Sequence, residues 1–316
     1  MELANFDIEK TRFIFDKLET FCDSSEVKKW ENSVKETIDF FFKKYRICSY
    51  NLNKRSYMGI VIDCTSKSGK HFFLKMVPPM INRFSNEIET LKRLPKKLTC
   101  KIYEIDYEKN TFIMEKIIPG KRAHFDNNKN AYSDLFKVLN ENKIKIDKFI
   151  EKKFKSFDEV VTRDYKILLS INQDHHNAKI LYSYFIKKYS KLTKNEECFL
   201  LHGDVYKNNV LTSNKGLKII DPLGFKAPFV MELVSICAYA LYENQEQNEN
   251  KKILNEFIEF FSPFVDPNTY SDALFCQLIK VFIPSLFEAN DGGIRANKWL
   301  TIIKDLYPEI KPKLNT

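Results

Sequence analysis

Apolar residues recur at spacings near three and four across residues 9–44. Phe13, Phe15, Leu18 and Phe21 come first, then Trp30, Val34, Ile38, Phe41 and Phe42. That period predicts helices with one buried face. Ser24 and Ser25 stand before the second stretch as caps. From Arg46 the pattern changes. Arg46–Leu52, Tyr57–Cys64 and Lys70–Val77 are short runs rich in β-branched and aromatic residues, and Ser66-Lys67-Ser68-Gly69 joins the last two as a hairpin turn. Pro78-Pro79 closes the third run, and Arg83–Leu94 is an amphipathic helix stopped by Pro95. Two more strands follow near Cys100–Tyr107 and Thr111–Ile118, turning at Lys109-Asn110. This order predicts a five-stranded antiparallel sheet with one main helix.

Pro119-Gly120 then breaks the chain, and helical periodicity takes over. Helices are predicted over Tyr132–Asn140, Asp147–Ser170, Asn177–Lys191, Val230–Tyr242, Lys251–Phe261, Ser271–Phe287 and Ile294–Leu306. Strands return only around Asn209–Leu211 and Leu217–Ile220. The reading is α+β, in three parts. Residues 1–45 are a helical extension packed on the sheet lobe, 46–118 are that lobe, and 119–316 are a larger helical lobe.

Composition narrows the function classes. The chain has 316 residues, 44% hydrophobic and 29% charged, as in an ordinary globular protein. The clearest uncharged apolar run, Leu233–Tyr242, is too short for a membrane span, and Met1–Lys10 lacks a secretory profile. Seven scattered cysteines without CxxC spacing suit a reducing cytoplasm and argue against disulfides or a zinc ribbon. The net charge is +9, but lysine is spread along the chain beside glutamate and no arginine-rich block occurs. Neither a nucleic-acid nor a membrane partner is expected.

The informative chemistry lies in Leu200-Leu201-His202-Gly203-Asp204-Val205-Tyr206-Lys207-Asn208-Asn209-Val210-Leu211. Its skeleton is H-x-D with an Asn five residues after the Asp. A second apolar strand, Leu217–Ile220, ends in Asp221. Phosphoryl transfer from a nucleotide needs such a set: one carboxylate to accept or orient a hydroxyl proton, and hard oxygen donors to hold Mg²⁺ on the phosphates.

"LLHGDVYKNNVL" followed by "LKIIDPLGF" resembles the aminoglycoside phosphotransferase family, the antibiotic-kinase branch of the protein-kinase-like fold. The Ile220-Asp221-Pro222-x-Gly224 form is similar to the streptomycin 6-phosphotransferase and hydroxyurea phosphotransferase subgroup. The resemblance implies a bilobal kinase-like fold and use of ATP or GTP with Mg²⁺. It implies Asp204 as the catalytic carboxylate, His202 as a buttress of the catalytic loop, and Asn209 and Asp221 as Mg²⁺ ligands. Glu232 opens the next helix as an anchor for that loop, and is also a candidate substrate-side acid.

A kinase-like fold requires a lysine on the third strand and a glutamate on the helix after it. Lys75 lies inside the apolar run His71–Val77, where a lysine is costly unless paired or bound to phosphate. Glu87 fits the "E-x-x-x-L" spacing, with Glu89 as the alternative. No G-x-G-x-x-G is present, so Ser56 and Gly59 are the candidate phosphate contacts in a loop that also reads as a plain hairpin. Phe112–Gly120 resembles the family's strand into the interlobe hinge, which implies backbone contacts to the base near Glu115 to Ile117.

The expected partner is a small hydroxyl-bearing substrate. An aminoglycoside or related antibiotic follows from the resemblance, with an amino alcohol or sugar-like metabolite as the alternative, and a catalytically weak binding protein as a third. Glu288 and Asp291 are the acids available on the substrate side. The Trp expected before Asp291-Gly292 is missing, and Ala227–Met231 departs from the family's "G-D-P-A" stretch.

Overall fold

The computed structural model describes all of the chain except residues 1–2, 21, 55, 57–58, 82, 172–174, 247–248, 288–292 and 315–316. The N-terminal segment forms α1 (Arg12–Leu18) and α2 (Ser24–Lys44). The cap of α2 is Asp23, one residue before the expected serines. Its carboxylate accepts from the amides of Ser25 and Glu26 at 2.9 and 3.2 Å.

Strands β1 (Ile47–Leu52), β2 (Ile60–Ser66) and β3 (His71–Met76) lead into α3 (Phe84–Arg93), then β4 (Ile102–Asp106) and β5 (Thr111–Glu115). They form one antiparallel sheet in the order β1-β2-β3-β5-β4. The hairpin turn closes at Ser66–Gly69, where the Gly69 amide donates to Ser66 O. Pleating sends alternate residues to opposite faces. Ile60, Ile62, Cys64, Leu74 and Met76 face a core completed by Val27, Trp30, Val34, Ile38, Phe41 and Phe42 of α2. Phe112 lies on the other face, in a second core with Phe84, Ile88 and Leu91 of α3. Lys75, between Leu74 and Met76, therefore belongs to the α3 side.

The remaining elements are β6 (Pro119–Arg122), α4 (Lys129–Glu141), β7 (Ile144–Lys145), α5 (Lys148–Lys153), α6 (Phe157–Ser170), α7 (His176–Asn195), β8 (Cys198–Leu201), β9 (Val210–Ser213), β10 (Gly216–Ile219), β11 (Phe225–Pro228), α8 (Val230–Glu243), α9 (Asn250–Phe261), α10 (Pro267–Ser285), α11 (Ile294–Leu306) and α12 (Lys311–Leu314). Two expectations change. The helix predicted over Asp147–Ser170 is split, because Ser156 and Glu159 form a capping box that starts α6 afresh. Strands β6, β7, β8 and β11 were not expected. They have two to four residues each, and β8 buries three in succession, so no alternation marks them.

By its internal contacts the chain divides into two units, Met1–Ala123 with Val210–Ile220, and His124–Asn209 with Asp221–Thr316. The β9–β10 hairpin joins the first unit because β9 pairs with β6, and the Ile219 amide donates to Leu98 O at 2.7 Å. In the second unit α10 is the central helix. It is buried along most of its length and packs on α6, α7, α8 and α11.

Neighbouring phenylalanines test the packing of α2. Phe41 is 1% exposed and Phe40 is 46% exposed. Phe41→Ala should cost about 3–5 kcal/mol, and Phe40→Ala under about 1 kcal/mol. Urea unfolding followed by circular dichroism gives both values; equal losses would overturn the assignment of α2 to the core.

Candidate active site

Two sets of predicted residues fall in different units. In the first unit, Lys75 Nζ donates to Glu87 Oε1 at 2.6 Å, with Lys75 8% and Glu87 1% exposed. The strand register brings Lys75 opposite Val61 and Phe112, and its ammonium lies 5.9 Å from the Phe112 ring centroid. An ammonium this deep requires a carboxylate, and removing either partner leaves a buried charge at a cost of about 3–5 kcal/mol. Glu89, the alternative partner, is engaged elsewhere, with Lys92 at 3.3 Å and Tyr107 at 3.4 Å.

The structure gives Ser56 and Gly59 roles within the protein itself. Gly59 has φ +156°, and a Cβ there would meet Met76 O at 2.5 Å. Only glycine lets β2 start this close to the end of β3. The Ser56 hydroxyl donates to Gly59 O at 2.7 Å. At the end of β5, the Glu115 amide donates to Lys101 O, and its carboxylate accepts from the Lys101 amide at 3.0 Å. Ile117 is buried, and the intervening Lys116 bonds Asp63 of β2 at 2.5 Å.

In the second unit, residues 202–209 form a tightly held loop after β8. Gly203 has φ +80°, and a Cβ there would lie 2.4 Å from the Phe225 ring. Its amide donates to both carboxylate oxygens of Glu232, at 3.0 and 3.3 Å, and its carbonyl accepts from Lys280 of α10 at 3.4 Å. His202 is fully buried; its Nδ1 accepts from the Asp204 amide at 3.3 Å and its carbonyl accepts from the amides of Leu223 and Gly224. Glu232 is 1% exposed, and its carboxylate is engaged by the Gly203 amide beneath the loop. Glu288 and Asp291 lie outside the described residues.

Asn209 Nδ2 donates to the Asp204 carboxylate at 2.8 Å and to the Asp204 carbonyl at 3.0 Å. This fixes the Asp204 side chain and leaves Asn209 Oδ1 as the side-chain oxygen that could ligate a cation. Asp221 follows β10 with φ +62°, a left-handed conformation that Asp tolerates better than most residues. The pinning of Leu223 and Gly224 to His202 ties Asp221 to the same loop. Asn209 Oδ1 and the Asp221 carboxylate are hard oxygen donors and fit Mg²⁺. No group of three or more His, Cys, Asp or Glu with metal-binding geometry occurs among the described residues.

Two features had no local sequence signal. Lys280 reaches Gly203 from 77 residues away. Beside the loop, Tyr206 stacks on Tyr239 with centroids 3.9 Å apart, and Tyr242 stacks on Trp299 at 4.4 Å. Asp204 acts on the Tyr239 hydroxyl, which burial holds well above its ordinary range.

The fold has relatives among solved structures. Choline kinase LicA from Streptococcus pneumoniae superposes with a TM-score of 0.64 at 14% identity, over 88% of this chain and 99% of that one. An ethanolamine kinase from Plasmodium vivax gives 0.63 at 16%, over 98% and 92%. A thermostable aminoglycoside phosphotransferase APH(4)-Ia with ADP and hygromycin B gives 0.60 at 10%, over 84% and 97%. This chain has the protein-kinase-like fold. No protein-family model matches it, and no curated protein matches it in sequence. All seven cysteines are unpaired, and no described helix is long and apolar enough to cross a membrane.

Burial pushes the Glu232 carboxyl up to about 8; Asp204 adds to the rise, while the Gly203 amide and Lys280 oppose it. A free glutamate titrates near ~4.3. Between those values the folded state holds a proton that the unfolded state lacks, so stability falls as pH rises through this window. Glu232→Gln removes that dependence. The wild type should therefore lose stability relative to Glu232→Gln between pH 5.5 and 8, by up to about 1.4 kcal/mol per pH unit. Urea titrations at both pH values measure this; a constant difference between the proteins would refute it.

Proposed function

We propose that this protein is a small-molecule kinase that transfers the γ-phosphoryl group of ATP or GTP to an acceptor hydroxyl. The observation that carries this reading is the Asp204–Asn209 pair, a carboxylate fixed by an amide on a loop anchored at Gly203. Asp204 takes the acceptor proton as its oxygen bonds to the γ-phosphorus, and the nucleoside diphosphate leaves. Lys75, oriented by Glu87, binds the α- and β-phosphates. Asn209 and Asp221 would hold Mg²⁺, which neutralises charge on the phosphates when bound. The Ile117 amide has no hydrogen-bond partner among the described residues, which suits it to reading a nucleobase edge. Ser56 and Gly59 shape the loop near the phosphates. Most of the rate enhancement comes from positioning and charge neutralisation.

The acceptor class we favour is an aminoglycoside or related hydroxyl-bearing antibiotic. It rests on the "HGDVYKNN" and "IIDPLGF" motifs and on a fold shared with an enzyme that was crystallised with hygromycin B. One observation favours a second reading, an amino-alcohol acceptor. The Tyr206–Tyr239 stack stands beside Asp204, and aromatic faces attract ammonium groups.

Mg²⁺-dependent release of ADP and GDP, measured on panels of aminoglycosides, other antibiotics and amino alcohols, separates these readings. Release stimulated only by an amino alcohol would eliminate the antibiotic reading. Asp204→Asn should lose at least about a hundredfold in turnover and keep nucleotide binding. Full activity in that variant would overturn the mechanism. Asp221→Asn should weaken binding of the Mg²⁺–nucleotide complex, read by titration of a fluorescent nucleotide; unchanged affinity would exclude Asp221 as a metal ligand.

A further inference from the structure

Strand β10 ends two residues before Asp221 and lies at the edge of its sheet, in the order β10-β9-β6. Its residues Gly216 to Ile219 all pair with β9 on one side. An edge strand leaves the main-chain groups of its outer side to find other partners. Here the segment after α3 supplies them. The Ile219 amide donates to Leu98 O at 2.7 Å, and Thr99 and Ile219 form a parallel bridge. Leu98, Thr99 and Ile219 are all buried.

Lys218 completes this junction with its side chain. Its Nζ donates to Thr99 O at 2.9 Å and to Lys96 O at 3.3 Å. The residue is half-buried and meets no carboxylate among the described residues. Its ammonium is therefore spent on two main-chain carbonyls, and hydrogen bonds from a charged donor are the strong ones. The carbonyls belong to a tight segment, in which the Leu98 amide donates to Pro95 O at 2.8 Å. That segment follows directly on α3, the helix bearing Glu87. One anchor thus serves both β10 and α3.

We propose that Lys218 is a positioning residue for the metal ligand Asp221. Its ammonium fixes β10 against residues 96–99, and the end of β10 sets the direction in which the chain enters Asp221. Asp221 has φ +62°, so the aim of its carboxylate depends on where the residues before it are held. Lys218 acts through Asp221 alone, as groups behind a metal ligand do when they orient it. The inference rests on the kinase reading, which makes Asp221 a ligand.

Lys218→Met keeps the aliphatic stem and removes the ammonium, and Lys218→Arg keeps a cationic donor. The affinity of each full-length protein for a fluorescent ATP analogue is measured with Mg²⁺ and with EDTA, and the ratio is the gain from the metal. Lys218→Met should lower this gain at least about fivefold and leave the affinity in EDTA within about twofold of wild type, while Lys218→Arg restores most of the gain. Lys215→Met, at the exposed turn of the same hairpin, should match the wild type. An unchanged gain in Lys218→Met, an equal loss with and without Mg²⁺, an arginine variant as poor as the methionine one, or an equal loss in Lys215→Met would each overturn the role. Amide exchange tests the clamp without nucleotide. Lys218→Met should speed exchange across residues 96–99 and 217–220 at least about threefold; unchanged exchange overturns the clamp. A wild type that binds no analogue overturns the kinase reading, and one that Mg²⁺ does not help overturns Asp221 as a ligand. Either result removes the positioning role, while the exchange result for the clamp stands.

Discussion

A lysine ammonium 8% exposed inside a sheet needs a carboxylate within hydrogen-bond reach, and the first unit is organised around that need. Glu87 meets it from α3 at 2.6 Å. The pair then dictates which sheet face carries which load. Leu74 and Met76 must turn the opposite way from Lys75, and their face needs a cover of its own. Helix α2 provides it, with Val27, Val34 and Ile38 fully buried against that face. The N-terminal helices are therefore no loose addition. Without them the sheet would present Ile60, Ile62, Cys64, Leu74 and Met76 to water, at about 25 cal/mol for each Å² of apolar surface.

In the second unit the equivalent constraint falls on backbone. Gly203 is held by Glu232 below, by the Phe225 ring against its Cα, and by Lys280 on its carbonyl. A loop so restrained cannot let Asp204 wander, and Asn209 fixes the carboxylate itself. Burial pushes the Glu232 carboxyl up to about 8, against the Gly203 hydrogen bonds that favour its ionised form. The second unit thus places an ionisable anchor below the loop without adding a full negative charge next to Asp204, where a second carboxylate would raise the proton affinity of both.

What could be read in the sequence follows from how far each signal extends along the chain. The strand order around Lys75 was legible because its strands are runs of six or seven residues rich in β-branched and aromatic side chains, and their hairpin turn carried a glycine. The His202-Gly203-Asp204 to Asn209 loop was legible because its residues are contiguous. Strands β7 and β8 were not, since two residues have no period and three buried in succession have no alternation. Lys280, Tyr239 and Trp299 come together only through the packing of α8, α10 and α11, so no spacing near the motif announces them. The cap of α2 was misplaced for a different reason: Asp23, Ser24 and Ser25 are all good capping residues, and only geometry chooses among them.

The same distinction explains how the fold can match solved kinases at TM-scores of 0.60 to 0.64 with only 10% to 16% of residues identical. Cores such as the one under α2 ask for apolar volume in register, and many side chains supply it, so their sequences drift freely. The positions whose chemistry is narrowly demanded are few and of another kind. A buried lysine needs its glutamate, a glycine with φ +80° against an aromatic ring admits no Cβ, and a carboxylate is held by an amide five residues on. These residues are few, and they are where an error in type costs most. Likeness of shape combined with dissimilarity of sequence is what this division of constraints produces: packing sets the fold broadly, and a handful of polar contacts set the chemistry narrowly.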